Sequence, residues 1–149
     1  MRKLVAYFSA SGVTRKRAEE LGSAINADLY EIIPESPYTD NDLDWHNRQS
    51  RSSVEMQNPS SRPMIAGEKI DLASYGRVYI GFPIWWGVAP RIINTFIESH
   101  SFEGKEIVVF ATSGGSGIRT AVEDIKGKYP QLNIIGSALL SRRVSADII

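Results

Sequence analysis

The sequence contains no cysteine, which excludes disulfide bonds, thiolate metal sites and enzyme mechanisms that use a cysteine nucleophile. It also lacks an excess of either charge, because 17 basic side chains balance 17 acidic ones. We therefore expect neither nucleic acid nor a membrane surface among its partners. No apolar run is long enough to cross a bilayer, so the cytoplasm is the expected compartment.

Common nucleotide-binding and catalytic motifs are absent as well. The sequence has no GxxxxGK[ST] loop, and no GxGxxG follows its first apolar run, which weakens nucleoside triphosphate and dinucleotide interpretations. Pro83 stands where a receiver domain would need a phosphorylatable aspartate. The two histidines, His46 and His100, have no acidic partner at triad or metal-ligand spacing, so we expect no metal and no catalytic triad.

What the sequence does contain is a series of short apolar runs separated by helical patterns. The runs cover residues 3–9, 28–33, 77–82, 106–112 and 132–140. The first, third and fourth are nearly continuous, as is typical of parallel strands that are covered on both faces. Apolar residues recur at helical spacing between the runs. This alternation predicts one α/β domain over residues 1–149, with a doubly wound parallel sheet between two layers of helices.

The segment 34–69, between the second and third runs, interrupts this rhythm. It is polar and is far longer than a connection between a strand and its neighbour needs to be. Tyr38, Trp45 and a helical-looking run over 42–57 favour an ordered excursion over a disordered one.

The first candidate site segment follows the first strand. Three hydroxyl side chains and a glycine, Ser9, Ser11, Gly12 and Thr14, surround the start of a predicted helix. Free backbone N–H groups and the helix dipole favour an anion such as a phosphate at this position. A plain turn in which Ser or Thr caps the helix remains an alternative.

Two further segments follow the third and fourth strands. The stretch from Pro83 to Pro90 contains Trp85 and Trp86, which either wall a planar ligand or close the core. The stretch from Thr112 to Gly117 has three glycines that let backbone amides approach a ligand, or that form a flexible turn. All three segments leave the same edge of the predicted sheet. Together they outline a site for flavin mononucleotide (FMN).

These segments resemble the flavodoxin family, especially a short branch with the motifs YFSxSGxT, PYTxxDLDW, RP, GxPIWWGxxP, NTF and FATSGGSG. The resemblance extends from the first strand to Gly117. It implies strand order 2-1-3-4-5, bound FMN and electron transfer between redox partner proteins, with no catalytic side chain. It also implies that Tyr38, Trp45 and Arg62 shape the rim of the flavin pocket.

The resemblance also implies which residues bind the cofactor. The phosphate would be held by Ser9, Ser11, Gly12, Val13 and Thr14. The isoalloxazine would be flanked by Pro83, Ile84, Trp85, Trp86 and Gly87. Its pyrimidine and ribityl side would be bordered by Thr112, Ser113, Gly114, Gly115 and Gly117.

The sequence departs from the family pattern in two respects. The chain is neutral, whereas well-studied flavodoxins are acidic. The closing helix after strand five is expected to be short or missing, which would expose Ile135 or Leu139 unless a stub from Ser145 or a second copy of the chain covers them.

Two alternative functions remain compatible with the sequence. The first is an NAD(P)H-dependent FMN reductase or quinone oxidoreductase, and the second is a binding module without flavin.

Overall fold

A computed structural model describes residues 1–140 of the chain. Five strands form one parallel sheet: β1 (Arg2–Tyr7), β2 (Asp28–Glu31), β3 (Tyr75–Pro83), β4 (Glu106–Thr112) and β5 (Asn133–Leu139). Their order is β2-β1-β3-β4-β5, which confirms the expected flavodoxin-like topology. The central strands are continuous apolar runs because both of their faces are covered, and Leu4, Val5 and Ala6 are fully buried.

Four helices connect these strands: α1 (Val13–Ile25), α2 (Arg51–Gln57), α3 (Arg91–Glu98) and α4 (Arg119–Lys128). The end of α1 is set by Asn26, which adopts a left-handed conformation at φ 56° and donates its N–H to the carbonyl of Gly22. Helix α3 begins directly after Pro90. Proline suits this position because it has no backbone N–H group and its φ is fixed near the helical value. None of the helices in residues 1–140 is long and apolar enough to cross a membrane.

The helices pack on both faces of the sheet. On one face α1 packs through Ala18 and Leu21 on a cluster that includes Tyr79 and Phe110. On the other face α3 and α4 pack on a larger cluster that contains Leu4, Ile80, Val109, Ile92, Phe96, Ala121 and Ile125. The expected three-layer arrangement is therefore confirmed.

The two ends of the excursion over 34–69 are hydrogen-bonded to each other. Pro34 and Ile65 form an isolated antiparallel bridge, the N–H of Glu35 donates to Met64 O at 2.8 Å, and the N–H of Ala66 donates to Ile33 O at 2.7 Å. These backbone bonds bring the two ends of the excursion together beside the carboxyl end of β2. The segment is thereby held as a compact loop.

Helix α2 is the only helix inside the excursion, and it is shorter than the helical-looking run over 42–57. Ser50 accepts a hydrogen bond from the N–H of Ser53 and so starts the helix only at Arg51. The buried guanidinium of Arg91 on α3 donates to Met56 O at 2.8 Å and to Glu55 O at 3.4 Å, at the other end of α2. Burial lowers the pKa of Arg91, and these carbonyl contacts compensate for part of that desolvation.

A second anchor holds the far end of the excursion. The Arg62 guanidinium donates to both carboxylate oxygens of Glu98 on α3, at 3.0 and 2.9 Å. Glu98 also accepts a hydrogen bond from the hydroxyl of Tyr129. The Arg62 and Tyr129 hydrogen bonds hold the pKa of the Glu98 carboxyl below its usual value.

The edge strand β5 presents two large apolar residues to solvent. Ile135 is 37% exposed and Leu139 is 40% exposed. The position of the expected closing helix, including the stub from Ser145, lies outside the described residues.

Candidate functional site

The loop between β1 and α1 is shaped by the side chain of Ser9. Its Oγ accepts hydrogen bonds from the N–H groups of Gly12 and Arg15, both at 3.1 Å. Gly12 turns the chain into the helix at φ 94°, a conformation that favours glycine. Within residues 1–140, the N–H groups of Val13 and Thr14 donate to no protein acceptor. The start of α1 therefore presents free donors and the positive end of the helix dipole.

Thr14 ties this loop to the loop that follows β4. Its hydroxyl lies 2.7 Å from the hydroxyl of Thr112, and both residues are buried. Since only one of the two hydroxyl hydrogens is used in that bond, the other is left for a further acceptor. The first and third candidate segments are thus joined directly.

The segment after β3 makes a tight turn that presents Trp86. Trp85 and Val88 exchange two backbone hydrogen bonds of 2.9 and 3.1 Å, and the two residues between them, Trp86 and Gly87, have φ values of 50° and 82°. Positive φ at both central positions is characteristic of a type I′ turn. Trp86 is 52% exposed at the tip of this turn.

Trp85 has a different environment from its neighbour. Its ring meets Phe8 at a centroid distance of 5.6 Å and Tyr38 at 5.5 Å, both edge to face. Phe8 and Tyr38 also contact each other at 5.6 Å. Trp85 is therefore half-buried against the core, whereas within residues 1–140 Trp86 makes no such ring contact and is the more exposed of the two.

Tyr38 is held under Trp85 by polar contacts from α2. Its hydroxyl donates to the Glu55 carboxylate at 2.5 Å, and the Arg51 guanidinium lies 3.8 Å above its ring. Burial and the Glu55 hydrogen bond raise the pKa of Tyr38 well above its usual range, so the phenol stays protonated. Arg51 and Glu55 also form an ion pair of 3.0 Å along α2. The excursion thereby positions the turn that carries Trp86.

The glycine-rich loop after β4 is organised by Ser113. Its Oγ accepts hydrogen bonds from the N–H groups of Gly115 at 3.1 Å and Ser116 at 2.7 Å. The N–H of Ile84 donates to Thr112 O at 2.9 Å, so this loop begins beside the Trp85 turn. A Cβ atom placed on Gly114 or Gly115 would meet nothing within 4 Å, which leaves the backbone of the loop accessible to a ligand.

A cavity of about 510 Å³, here called the loop cavity, lies between these segments and the excursion. Its lining consists of Leu43, Trp45, Ser52, Ile84, Trp85, Trp86, Ser113, Gly114, Gly115 and Ser116. Of the residues expected from the sequence, the cavity brings together those at 84–86 and 113–115. The other expected residues lie outside the lining: Ser9, Ser11, Gly12, Val13, Thr14, Pro83, Gly87, Thr112 and Gly117.

The excursion contributes three lining residues to the loop cavity. Trp45 carried a signal in the sequence, as an aromatic residue within the polar excursion. Leu43 belongs to the PYTxxDLDW motif but was not predicted to line the site, and Ser52 carried no signal, because the position of both depends on how the excursion folds back. Arg62 binds α3 instead of lining the cavity, and Tyr38 supports Trp85 from below.

A cavity of about 670 Å³ lies at the opposite, amino end of the sheet. It is lined by residues 69–73 and by His100, Ser101, Glu103 and Lys105. None of the candidate segments reaches it. In open parallel sheets ligands bind at the carboxyl ends of the strands, so the loop cavity is the better candidate site despite its smaller volume.

Comparison with known proteins agrees with this geometry. The profile of the flavodoxin family matches residues 2–149. A flavoprotein structure from Bacteroides eggerthii is 54% identical, with a TM-score of 0.94, covering 97% of this chain and 91% of that one. A flavoprotein structure from Bacteroides uniformis is 50% identical, with a TM-score of 0.92 and coverages of 93% and 89%.

A more distant relative has been solved with a ligand. The flavoprotein from Lactobacillus acidophilus in complex with FMN is 28% identical, with a TM-score of 0.79, covering 93% of this chain and 92% of that one. No curated protein matches the chain. The family match over nearly the whole chain confirms the expected family, and the chain belongs to the flavodoxin family.

Proposed function

We propose that this protein binds FMN at the carboxyl edge of its sheet and transfers electrons between redox partner proteins through the bound flavin. The observation that carries the proposal is the convergence of three segments there: a helix start with free N–H groups, an exposed tryptophan and an open glycine-rich loop. These features match the three parts of FMN, which are a phosphate, a planar ring and a polar ring edge with its ribityl chain.

The start of α1 suits the phosphate group. The N–H groups of Val13 and Thr14 are free donors within the described residues, and the hydroxyls of Ser9 and Ser11 lie in the same loop. Ser9 uses its oxygen to accept two backbone N–H groups, so its own hydrogen remains available to an anion. The helix dipole adds to this preference for negative charge.

The loop cavity suits the ring system. The flavin ring can stack on the indole of Trp86. The backbone groups of the loop 113–116 can form hydrogen bonds with the polar edge of the ring. Trp85 and Leu43 complete an apolar lining that excludes water from the ring. When bound, the flavin supplies the redox chemistry, and these residues set its orientation and its exposure.

The relatives support the choice of cofactor. The Lactobacillus acidophilus flavoprotein was solved in complex with FMN and covers most of both chains, although only 28% of the aligned residues are identical. Membership of the flavodoxin family supports electron transfer as the role. The balanced charge of this chain gives no reason to expect a strongly basic partner face.

The proposal is tested by titrating the purified protein with FMN and with riboflavin. FMN is expected to bind with flavin absorbance perturbed and with emission quenched by Trp86. Its affinity should exceed that of riboflavin by a large factor, because charge-assisted hydrogen bonds to the phosphate are stronger than neutral ones. A protein that takes up neither compound would be a binding module without flavin, and equal affinities would show that the loop at 9–14 only caps α1.

A further inference from the structure

A second cavity, here called the outer cavity, adjoins the loop cavity. It has a volume of about 510 Å³ and is lined by Trp45, His46, Arg48, Ser53, Gln57 and Trp86. Trp45 and Trp86 line both cavities, so the two spaces meet across these indoles. A ligand in the outer cavity would lie next to whatever occupies the loop cavity.

The two shared tryptophans are unusually exposed for such large apolar side chains. Trp45 is 67% exposed and Trp86 is 52% exposed. Trp86 is also held at φ 50°, a conformation that is strained for a bulky residue and that is found preferentially at functional sites. One face of Trp45 stacks on the His46 ring at a centroid distance of 3.7 Å, while most of the residue remains open. The pair offers aromatic surface that the fold itself leaves unused.

The charged side chain that lines the outer cavity is positive. The lining includes Arg48 and His46 and no acidic residue. Within residues 1–140 the Arg48 guanidinium has no carboxylate partner, whereas Arg15, Arg51 and Arg62 each form an ion pair. Asp44 lies near His46, with 3.4 Å between Asp44 Oδ1 and His46 Nδ1, but it does not line the cavity. An unpaired guanidinium beside aromatic walls favours an anion attached to a ring.

We propose that the outer cavity binds a small planar aromatic molecule that carries a carboxylate or another anionic group. The ring stacks against Trp45 and Trp86, and Arg48 binds the anion. This inference rests on the proposed function, because a molecule held there would lie beside the flavin.

The proposal is tested with two probes of the same shape, naphthoate and its neutral analogue naphthalenemethanol. Saturation-transfer NMR titrations on FMN-loaded protein give a dissociation constant for each probe. We expect naphthoate to bind about fivefold more tightly than naphthalenemethanol, the size expected for one partly exposed charged hydrogen bond. The variant Trp45→Ala should weaken both probes, since it removes stacking surface that does not depend on charge.

Arg48→Gln is the deciding variant. It should abolish the preference for naphthoate and leave the affinities for naphthalenemethanol and FMN unchanged, because Arg48 does not line the loop cavity. The matched control is Lys126→Gln, which removes one exposed cation from α4 and should keep the preference. Equal binding of the two probes, or a preference that survives Arg48→Gln, overturns the proposal.

The outcomes also separate this inference from the proposed function. If naphthoate displaces FMN, the probe occupies the loop cavity and the inference is wrong while FMN binding stands. If the protein takes up no FMN, the proposed function is wrong. The same titrations on the free protein then still decide whether Arg48 selects the anion.

Discussion

The hydroxyl groups of Thr14 and Thr112 form a buried hydrogen bond of 2.7 Å between the first turn of α1 and the end of β4. These residues are 98 positions apart in the chain, and Thr14 ends one segment of the candidate site whereas Thr112 begins another. The bond therefore fixes the distance between the phosphate-binding loop proposed at 9–14 and the glycine-rich loop at 113–117.

Replacing Thr14 by Val is expected to lower the free energy of unfolding of the flavin-free protein by about 1–2 kcal/mol. The reason is that the Thr112 hydroxyl would be left buried without its partner. Thr112→Val should have a similar effect. Urea denaturation followed by circular dichroism measures both changes.

The double variant Thr14→Val/Thr112→Val provides the control. Because two apolar groups of similar shape leave no orphaned hydroxyl, its loss of stability should be smaller than the sum of the two single losses. Additive losses would mean that the two hydroxyls do not depend on each other.

The two neighbouring tryptophans should respond differently to truncation. Trp85→Ala should lower the stability of the flavin-free protein by about 2 kcal/mol, because its half-buried ring packs on Tyr38 and on the buried ring of Phe8. Trp86→Ala should change stability little and should alter flavin emission and affinity. Thermal denaturation and FMN titration separate the two effects.

Trp86→Gly is the matched control for the turn. It removes the same indole as Trp86→Ala but tolerates the φ of 50°, so it should be about 1 kcal/mol more stable than the alanine variant. Both variants should show the same change in flavin emission. A strong loss of stability in both would instead give Trp86 a role in the core.

Two glycine substitutions should have opposite effects on stability. A Cβ on Gly81 in β3 would lie 2.0 Å from the ring of Phe110, which is fully buried on β4. Gly81→Ala should therefore cost about 3 kcal/mol or more through overpacking. A Cβ on Gly127 in α4 would meet nothing within 4 Å, so Gly127→Ala should stabilise the protein by about 0.5–1 kcal/mol. Denaturant midpoints for the two variants should move in opposite directions.

His100 should make stability depend on pH. Burial lowers its pKa in the folded protein, and the carbonyl of Phe96, 2.8 Å from its Nδ1, offsets part of that effect. A histidine whose folded pKa is depressed contributes fully above its unfolded pKa of about 6.5, and stability is lost as the pH falls through the folded pKa. Denaturant midpoints should therefore decrease between about pH 7 and pH 5.

His100→Gln should flatten this decrease, because the amide can still donate to the Phe96 carbonyl but does not titrate in that range. The comparison is made at matched ionic strength, since Lys69 lies near the imidazole. Parallel pH profiles for the natural protein and the variant would show that other groups cause the dependence.

The fold could be predicted from the sequence because the spacing of its apolar residues indicates which positions are buried. The continuous apolar runs of β1, β3 and β4 mark strands covered on both faces, and the spacing of Thr14, Ala18 and Leu21 marks the buried face of α1. The length of α2 could not be predicted in this way. It depends on the Ser50 cap and on contacts with Arg91, which lies on a different helix.

The candidate site was only partly visible in the sequence. Its three loops could be predicted because parallel strands end at one edge of the sheet. The different environments of Trp85 and Trp86 could not, since they depend on contacts with Phe8 and Tyr38 and on a positive φ at Trp86. The contribution of Leu43 depends in the same way on the folding of the excursion.

A flavin can be reduced by hydride from a nicotinamide or by electrons from a protein, and the first route needs space beside the ring. Hydride transfer requires the nicotinamide to stack on the flavin ring at a separation of about 3–3.5 Å. The loop cavity is already bordered by Trp86 on the β3 side and by Trp45 and Leu43 from the excursion. We infer that these side chains would crowd a nicotinamide stacked directly on a flavin in that cavity.

We therefore expect NADH and NADPH to reduce the FMN-loaded protein slowly or not at all under anaerobic conditions, and a flavoprotein reductase to reduce it readily in their presence. Stopped-flow absorbance of the flavin measures both rates, and dithionite serves as the control that the flavin can be reduced. Trp45→Ala removes one wall of the loop cavity and should speed direct reduction if crowding is the cause. If either nucleotide alone bleaches the flavin of the natural protein at the rate of enzyme turnover, the protein is an NAD(P)H-dependent oxidoreductase and not a carrier.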